Sequence, residues 1–388
     1  MNRVKLFYFL FFAAAATLSP YLVLYYESLG LSGVQIGLLT GIVPLVVMVS
    51  NTFWGAAADA SRRHRAVVLL AIAGAWISVL VMSRAASLAA LLPIVVLYAF
   101  FGAPVGSLMD NSVVTQLGER KADYGRIRLW GSVGWGVSAF VMGPILQRAG
   151  LEWAFYGYLA VMAVVFLYSF AVPIVGAERT APFRAGLGVL VRDGRFIALM
   201  VMALVYGVSI AMLLNYLFLH MNAMGASETL MAWTMVMATI SEVPFLFLSG
   251  RIITRFGINR IIAIAFLLMA VRAFVYAFMP APWWVLPVNL LLGGPTFALF
   301  WAGGVAEANR IAPVGLGATA QGALGSVMFG LGSAAGNFLG GAVFERYGGP
   351  VLMQAVGWVL AAALAVFVAV RLWPRHAAPV AVEKGPSR

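Results

Sequence analysis

Long apolar runs recur along this sequence and constrain its fold more than any other feature. Each run has about 20 residues, which as a helix is enough to cross the ~30 Å hydrocarbon core of a bilayer. Hydrophobic residues make up 63% of the 388 residues and charged residues only 10%, whereas a soluble domain carries about 25% charged residues. The chain is therefore predicted to be an all-α membrane protein.

The apolar runs, separated by charged or turn-rich breaks, predict twelve transmembrane helices. With about 30 residues for each helix and its loop, the chain has almost no room for a soluble domain. The first run starts like a signal peptide, but it continues through Tyr26 and so reaches the length of a full span. The predicted spans are 6–26, 34–57, 66–83, 89–113, 129–147, 153–175, 196–219, 228–249, 261–279, 283–305, 317–341 and 351–372.

The basic residues indicate how the chain lies in the membrane. The net charge of +12 is spread over the ends of the apolar runs, which favours a topology signal over a nucleic-acid-binding patch. If the N-terminus is cytoplasmic, Arg84, Arg148 and Arg346 fall on the outer side and Arg272 falls within a span, while the other basic residues fall on the inner side. The positive-inside rule then predicts a multi-pass protein of the bacterial inner membrane with both termini in the cytoplasm.

Two internal repeats divide the sequence into halves. Residues 131–136 reappear as 325–330, and residues 55–65 correspond to 250–260, at offsets of 194 and 195 residues. Repeated halves are typical of secondary transporters, whose substrate sites lie between the repeats; chance matching of glycine-rich segments is the alternative. The predicted parts are an N-terminal six-helix half (1–175), a cytoplasmic linker (176–195), a C-terminal six-helix half (196–373) and a cytoplasmic tail (374–388).

The loop after the second predicted span carries a family resemblance. Its sequence from Gly55 to Arg65, with Asp59 and Arg63 inside it, is similar to the signature loop of the major facilitator superfamily. The copy at 250–260 lacks the acid. Since a carboxylate at one helix end can face the positive N-terminal end of a neighbouring helix, Gly55, Asp59 and Arg63 are predicted to form a cytoplasmic gate. Ordinary positive-inside loop charge is the alternative explanation of the arginines.

A longer motif narrows the resemblance to one branch. Residues 123–135 resemble the fifth-helix motif shared by lactose permease, nucleoside-proton symporters and the phenylpropionate-permease group. The resemblance implies that Asp110 and Arg128 bind substrate hydroxyls and that Trp135 stacks on a sugar ring. Arg126 and Arg128 lie about 200° apart around a helix, so only one can face a cavity, and Arg128 is the predicted one. A solvated position at the inner headgroups is the alternative for Asp110.

The second half places one acid and one base inside predicted spans. A bare charge at such depth costs about 2.5–3.5 kcal/mol, so Glu242 and Arg272 are expected to have partners. Following the phenylpropionate-permease pattern, they are predicted to couple transport to protons, with Arg272 as an exchangeable partner of Glu242; a structural ion pair is the alternative. Residues 290–297 lack the histidine and glutamate of related tenth helices, so uncoupled uniport stays open. Asn215 and Asn289 are further candidates for solute contact.

These features predict a secondary transporter for a small organic solute of the sugar, nucleoside or aromatic-acid class, driven by proton symport. An efflux antiporter of the same fold is the alternative, because Gly143-Pro144 partly resembles an antiporter motif. An enzyme is not expected, since no nucleophile with a base is recognisable. The absence of cysteine and the scattered histidines predict no metal and no cofactor. The predicted partners are the solute, protons and membrane lipid, and the protein is expected to be a monomer.

Overall fold

The computed structural model describes residues 1–176, 188–313 and 315–372, and long helices joined by short turns make up nearly all of them. The predicted all-α fold with twelve membrane-spanning helices is confirmed. The helices of the described residues are α1 (Asn2–Ser28), α2 (Gly33–Ser61), α3 (His64–Met82), α4 (Leu88–Leu117), α5 (Tyr124–Ala149), α6 (Trp153–Ser169), α7 (Gly194–Ala223), α8 (Glu228–Phe256), α9 (Ile258–Phe278), α10 (Pro282–Ile311), α11 (317–347) and α12 (349–370).

Polar residues mark where several helices begin. Ser32 accepts a hydrogen bond from the Gln35 backbone N–H, and the Gln35 side chain accepts one from the Ser32 backbone N–H, which is a capping box at the start of α2. Ser87 caps α4 and Ser227 caps α8 in the simpler way, by accepting one backbone N–H. Such caps contribute about 1 kcal/mol each, so the short turns themselves define the helix boundaries.

Gly348 separates α11 from α12. Its φ of 78° and ψ of 176° break an otherwise continuous helical stretch, and glycine adopts this conformation at no steric cost. The sixth helix is shorter than predicted, because it ends at Ser169 and not at 175. The predicted boundaries of the halves stay a prediction, since residues 177–187 of the linker and the tail 374–388 lie outside the described residues.

The two sets of six helices repeat one packing pattern. In the first set, α1 packs on α5 and α6, and α4 packs on α2 and α3; in the second set, α10 packs on α8 and α9. Gly336 of α11 lies against Val208 of α7, so α11 packs on α7 as α5 packs on α1 in the first set. Gly357 of α12 lies against Phe274 of α9, so α12 packs on α9 as α6 packs on α3. The repeated pattern gives the bundle its pseudo-symmetry.

The halves contact each other through α2 with α11 and through α5 with α8. We call the end of the bundle where α1 begins the N-side, and the other end the opposite side. Toward the opposite side the contact is tight: a Cβ atom added at Gly37 would lie 2.6 Å from the Asn337 carbonyl oxygen, and one added at Gly143 would meet Ala232. On the N-side, a Cβ atom at Gly55 or Gly250 would have no heavy atom within 4 Å. The halves therefore separate toward the N-side.

Candidate solute site between the halves

An acid, a tyrosine and an arginine from three helices meet in the first half. The Tyr8 hydroxyl on α1 donates a 2.6 Å hydrogen bond to Asp110 Oδ1 on α4. Arg128 Nε on α5 lies 3.8 Å from the same oxygen. Tyr8 is fully buried, whereas the Asp110 and Arg128 side chains are 37% and 33% exposed. The structure thus brings the two predicted charges together and leaves both accessible to a small molecule.

Aromatic rings of α1 hold the Arg128 guanidinium. Its central carbon lies 3.9 Å from the centre of the Phe12 ring and 5.5 Å from that of Tyr8, which is cation–π geometry. Gly131 leaves the space for this stacking, because a Cβ atom there would lie 2.7 Å from an Arg128 nitrogen. Sequence reasoning missed Tyr8 and Phe12. Their spacing of one helical turn places both on the same face of α1, and this was the available signal.

Arg126 and Arg128 have different environments. Arg126 Nη1 lies 3.7 Å from the Asp123 carboxylate one turn earlier, and the Arg126 side chain is 83% exposed. Arg128, and not Arg126, lies beside Asp110. Trp135 is half-buried on the same helix, two turns beyond Arg128 and so on a similar face.

Glu242 on α8 lies within electrostatic range of the Asp110–Arg128 pair, across the interface between the halves. The carboxylate interacts electrostatically with the Arg128 guanidinium of the opposite half. Next to it, the Ser241 hydroxyl accepts a 3.0 Å hydrogen bond from the Gly294 N–H on α10. A Cβ atom at Gly294 would collide with the peptide between Ser241 and Glu242. The backbone of α10 therefore packs directly on the segment that carries this acid.

Arg272 on α9 is buried among neutral partners. It is 5% exposed and donates hydrogen bonds to the Tyr276 hydroxyl at 2.8 Å, to Asn289 Oδ1 at 2.6 Å and to the Thr296 hydroxyl at 3.3 Å. None of the ion pairs among the described residues involves Arg272. The predicted partnership of Glu242 and Arg272 is not formed in this arrangement, because α10 supplies Arg272 with acceptors while Glu242 interacts with α5.

Asn289 and Asn215, both predicted to contact the solute, have protein partners. Asn289 is 2% exposed; its Oδ1 also accepts a 2.7 Å bond from Tyr276, and its Nδ2 donates to the Thr234 carbonyl. It therefore fixes Arg272 in place. Asn215 Nδ2 donates a 2.7 Å bond to Asn337 Oδ1. Asn337 in turn donates to the Thr40 carbonyl of the other half, so Asn215 supports the contact between the halves.

The predicted gate residues lie apart from the second half. Asp59 Oδ1 lies 3.2 Å from His64 Nε2, and the Arg63 side chain is exposed. Nothing lies within 4 Å of a Cβ atom placed at Gly55. The predicted latch is thus not engaged in this arrangement, since the halves are separated on the N-side.

A bundle of twelve membrane-spanning helices, with charged side chains collected between two pseudo-symmetric halves, defines a transporter of the major facilitator type. The model of the MFS_1 like family matches residues 1–364. The chain belongs to this family, and it is a multi-pass membrane transporter rather than an enzyme.

Similar proteins agree with this assignment. The maltose permease of Geobacillus stearothermophilus is 28% identical over 345 residues, which cover 88% of this chain and 87% of that protein. The putative nucleoside transporter YegT of Escherichia coli is 21% identical, with 85% and 81% covered. The crystal structure of the nucleoside transporter NupG superposes with a TM-score of 0.83 at 18% identity, covering 95% of this chain and 98% of that one. This last likeness concerns the fold.

Proposed function

We propose that this protein moves a small hydroxylated organic solute across the bacterial inner membrane by alternating access, with the solute bound between the halves. The observation that carries the proposal is the group formed by Asp110, Arg128, Tyr8 and Glu242. It collects two accessible charges and a third charge from the other half. Charges inside a membrane bundle are costly and mark transport pathways.

The chemistry of the group favours hydroxyl recognition. A carboxylate accepts hydrogen bonds and a guanidinium donates them, so Asp110 and Arg128 together can bind neighbouring hydroxyls of one solute by charge-assisted bonds. Phe12 and Trp135 add apolar faces of the kind that stack on a ring. Sugars and nucleosides combine hydroxyls with a ring. A maltose permease and a putative nucleoside transporter among the relatives support the same class.

The arrangement corresponds to an inward-open state in this proposal. The positive-inside rule assigns the N-side to the cytoplasm, and there the halves are apart around Gly55 and Gly250. On the opposite side, α2 and α11 close the path. Opening the opposite side while the N-side closes would carry the solute across the membrane.

Glu242 is the proposed proton-binding group. When Glu242 is ionised, its carboxylate attracts the Arg128 side chain away from Asp110. When Glu242 is protonated, this attraction is lost and Arg128 is available to Asp110 and the solute. Proton and solute would then bind together, which is symport. Uncoupled uniport is the second candidate, because Arg272 has only neutral hydrogen-bond partners in the described residues and 290–297 contain no titratable side chain.

Uptake into proteoliposomes distinguishes proton symport from uncoupled uniport. A panel of labelled sugars, nucleosides and aromatic acids is offered with and without a proton gradient. Symport predicts that the gradient drives accumulation of one class, that Glu242→Gln loses this accumulation, and that it keeps solute exchange at equal concentrations. Glu228→Gln, at the start of the same helix, is the control. Uptake that only equilibrates the solute, with or without the gradient, would support uniport, and transport of no member of the panel would reject the solute class.

A further inference from the structure

A cavity of about 640 Å³ lies on the N-side, outside the central path. It is lined by the start of α1, by Arg65 at the start of α3, and by Phe170, Ala171 and Pro173 after the end of α6. Arginines from two helices line it, and its lining residues include no carboxylate. It is therefore a positively charged cavity at the surface of the first half.

The two arginines are fixed at its wall. Arg3 Nη1 donates a 3.0 Å hydrogen bond to the Ala171 carbonyl, and Arg65 Nη2 donates a 3.1 Å bond to the Val172 carbonyl. A guanidinium has five N–H donors, so each arginine keeps further donors for a ligand. Asp59, the acid nearest to Arg65 along the chain, is bonded to His64.

The cavity lies at the N-side ends of three membrane-spanning helices. Arg3 and Arg65 stand at the first residues of two membrane-spanning helices, and Phe170 follows the last residue of a third. Deeper along α1 and α3, the apolar side chains of Leu6 and Leu70 are 43% and 54% exposed, and Phe170 at the cavity itself is 55% exposed. Exposed apolar side chains thus lie within two helical turns of the charged donors on both helices.

We propose that this cavity binds the phosphate of an anionic phospholipid from the leaflet on the N-side. Guanidinium groups bind phosphate oxygens in pairs of parallel hydrogen bonds, and basic pockets between helices on the cytoplasmic side are suited to anionic headgroups. The lipid would join α1, α3 and α6 at one point. Because Arg65 is both the last residue of the 55–65 segment and the second residue of α3, occupancy would also fix the base of the predicted gate.

The second half offers a natural control. Its counterpart at the start of α7 is a cavity of about 500 Å³ lined by Arg192 and Asp193. There the lining contains one arginine and one carboxylate, and Asp193 Oδ1 accepts a 2.7 Å hydrogen bond from the Arg195 N–H, so an anionic headgroup gains little. Arg192→Gln is therefore the matched substitution on the same side of the bundle.

Native mass spectrometry and thermal unfolding of the purified full chain test the proposal without any transport measurement. Phosphatidylglycerol, phosphatidylcholine or inorganic phosphate is added to the detergent-solubilised protein. We expect phosphatidylglycerol to bind and to raise the Tm, with about a fivefold loss of affinity for each of Arg3→Gln and Arg65→Gln, and none for Arg192→Gln.

Three results would overturn the proposal. In the first, the Arg3→Gln, Arg65→Gln double variant binds phosphatidylglycerol as tightly as the wild type does. In the second, the double variant has a lower Tm, but the lipid raises its Tm as much as it raises that of the wild type. In the third, inorganic phosphate stabilises the wild type at least as much as phosphatidylglycerol does. If the double variant fails to fold, a photoreactive phosphatidylglycerol on the wild-type protein gives the answer. Crosslinks to the start of α1 and the end of α6 are expected, and crosslinks confined to other helices would contradict it.

Discussion

The position of Arg128 depends on neighbours that lie far away in sequence. Its guanidinium rests on Phe12 and lies beside Asp110, which itself accepts the Tyr8 hydroxyl. One face of the guanidinium is thus covered by a ring while its edge stays available. This arrangement prepares the donors for a solute before it arrives, and preparation of this kind lowers the entropy cost of binding.

Replacing the ring that supports Arg128 should weaken solute binding. Phe12→Leu removes the cation–π contact, which contributes about 0.5–2 kcal/mol, so we expect the solute Kd to rise by about twofold to thirtyfold. Phe12→Tyr keeps the ring and should bind nearly as the wild type does. Equilibrium binding of the transported solute to the purified variants measures this. Equal affinities for Phe12→Leu and wild type would show that the ring does not position the arginine.

The sequence alone predicted part of this site. The resemblance of residues 123–135 to a family motif implied that Asp110 and Arg128 act together, and the structure places them 3.8 Å apart. Tyr8 and Phe12 did not stand out, since an aromatic residue in an apolar helix is ordinary until its tertiary neighbour is known. For Arg272 the sequence indicated that a partner was needed, but an acid was expected, and hydroxyl and amide groups of α9 and α10 fill that role in this arrangement.

At the scale of elements, the closure on the opposite side depends on the start of α2. The Glu345 carboxylate on α11 accepts a 2.7 Å hydrogen bond from the Val34 N–H of α2. A negative charge at a helix N-terminus is favourable, so this contact stabilises the closed opposite side. Nearby, Asn222 of α7 donates a 2.8 Å bond to Glu27 of α1, again across the halves.

Glu345→Gln should loosen this closure. Removing the negative charge from the N-terminus of α2 is expected to raise the open population on the opposite side by about twofold. The chain contains no cysteine, so a single Thr40→Cys reporter in the α2–α11 contact can be labelled with a membrane-impermeant maleimide. Glu152→Gln, in the turn between α5 and α6, is the control. Labelling at the rate of the unsubstituted reporter protein would contradict the assigned role of Glu345.

A second element-level prediction concerns α10, which has π-helical geometry from Asn289 to Gly293. Such segments often occur at functional sites. Gly294 follows directly, and its Cβ position is filled by the Ser241 peptide, whereas a Cβ atom at Gly293 would make an ordinary 3.4 Å contact with Ala238. Gly294→Ala should therefore cost about 1–3 kcal/mol of stability, and Gly293→Ala much less.

Thermal unfolding and transport of the two variants test this directly. We expect a lower Tm and reduced uptake for Gly294→Ala, because the backbone beside Glu242 must shift. The adjacent Gly293→Ala variant controls for the general effect of alanine in this segment. Two variants with the same Tm and the same uptake would show that the close approach of α8 and α10 is not required.

At the scale of the whole molecule, the number of helices was predictable because each apolar run had to cross the bilayer. The break between α11 and α12 also followed, since the two runs flank Gly348 and Gly349. The separation of the halves on one side was not predictable from sequence. It depends on glycine-mediated contacts such as Gly37 with Asn337. The local sequence around either residue does not indicate which residue of the other half it contacts.

The central claim is that the solute binds at Arg128 between the halves. The chain offers a matched pair, because Arg126 lies on the same helix with the same charge but pairs with Asp123 at the surface. The most direct measurement is equilibrium binding of the transported solute to purified Arg128→Gln and Arg126→Gln. Binding should be lost, or weakened about tenfold or more, in Arg128→Gln and unchanged in Arg126→Gln. Equal affinities in the two variants would contradict the account.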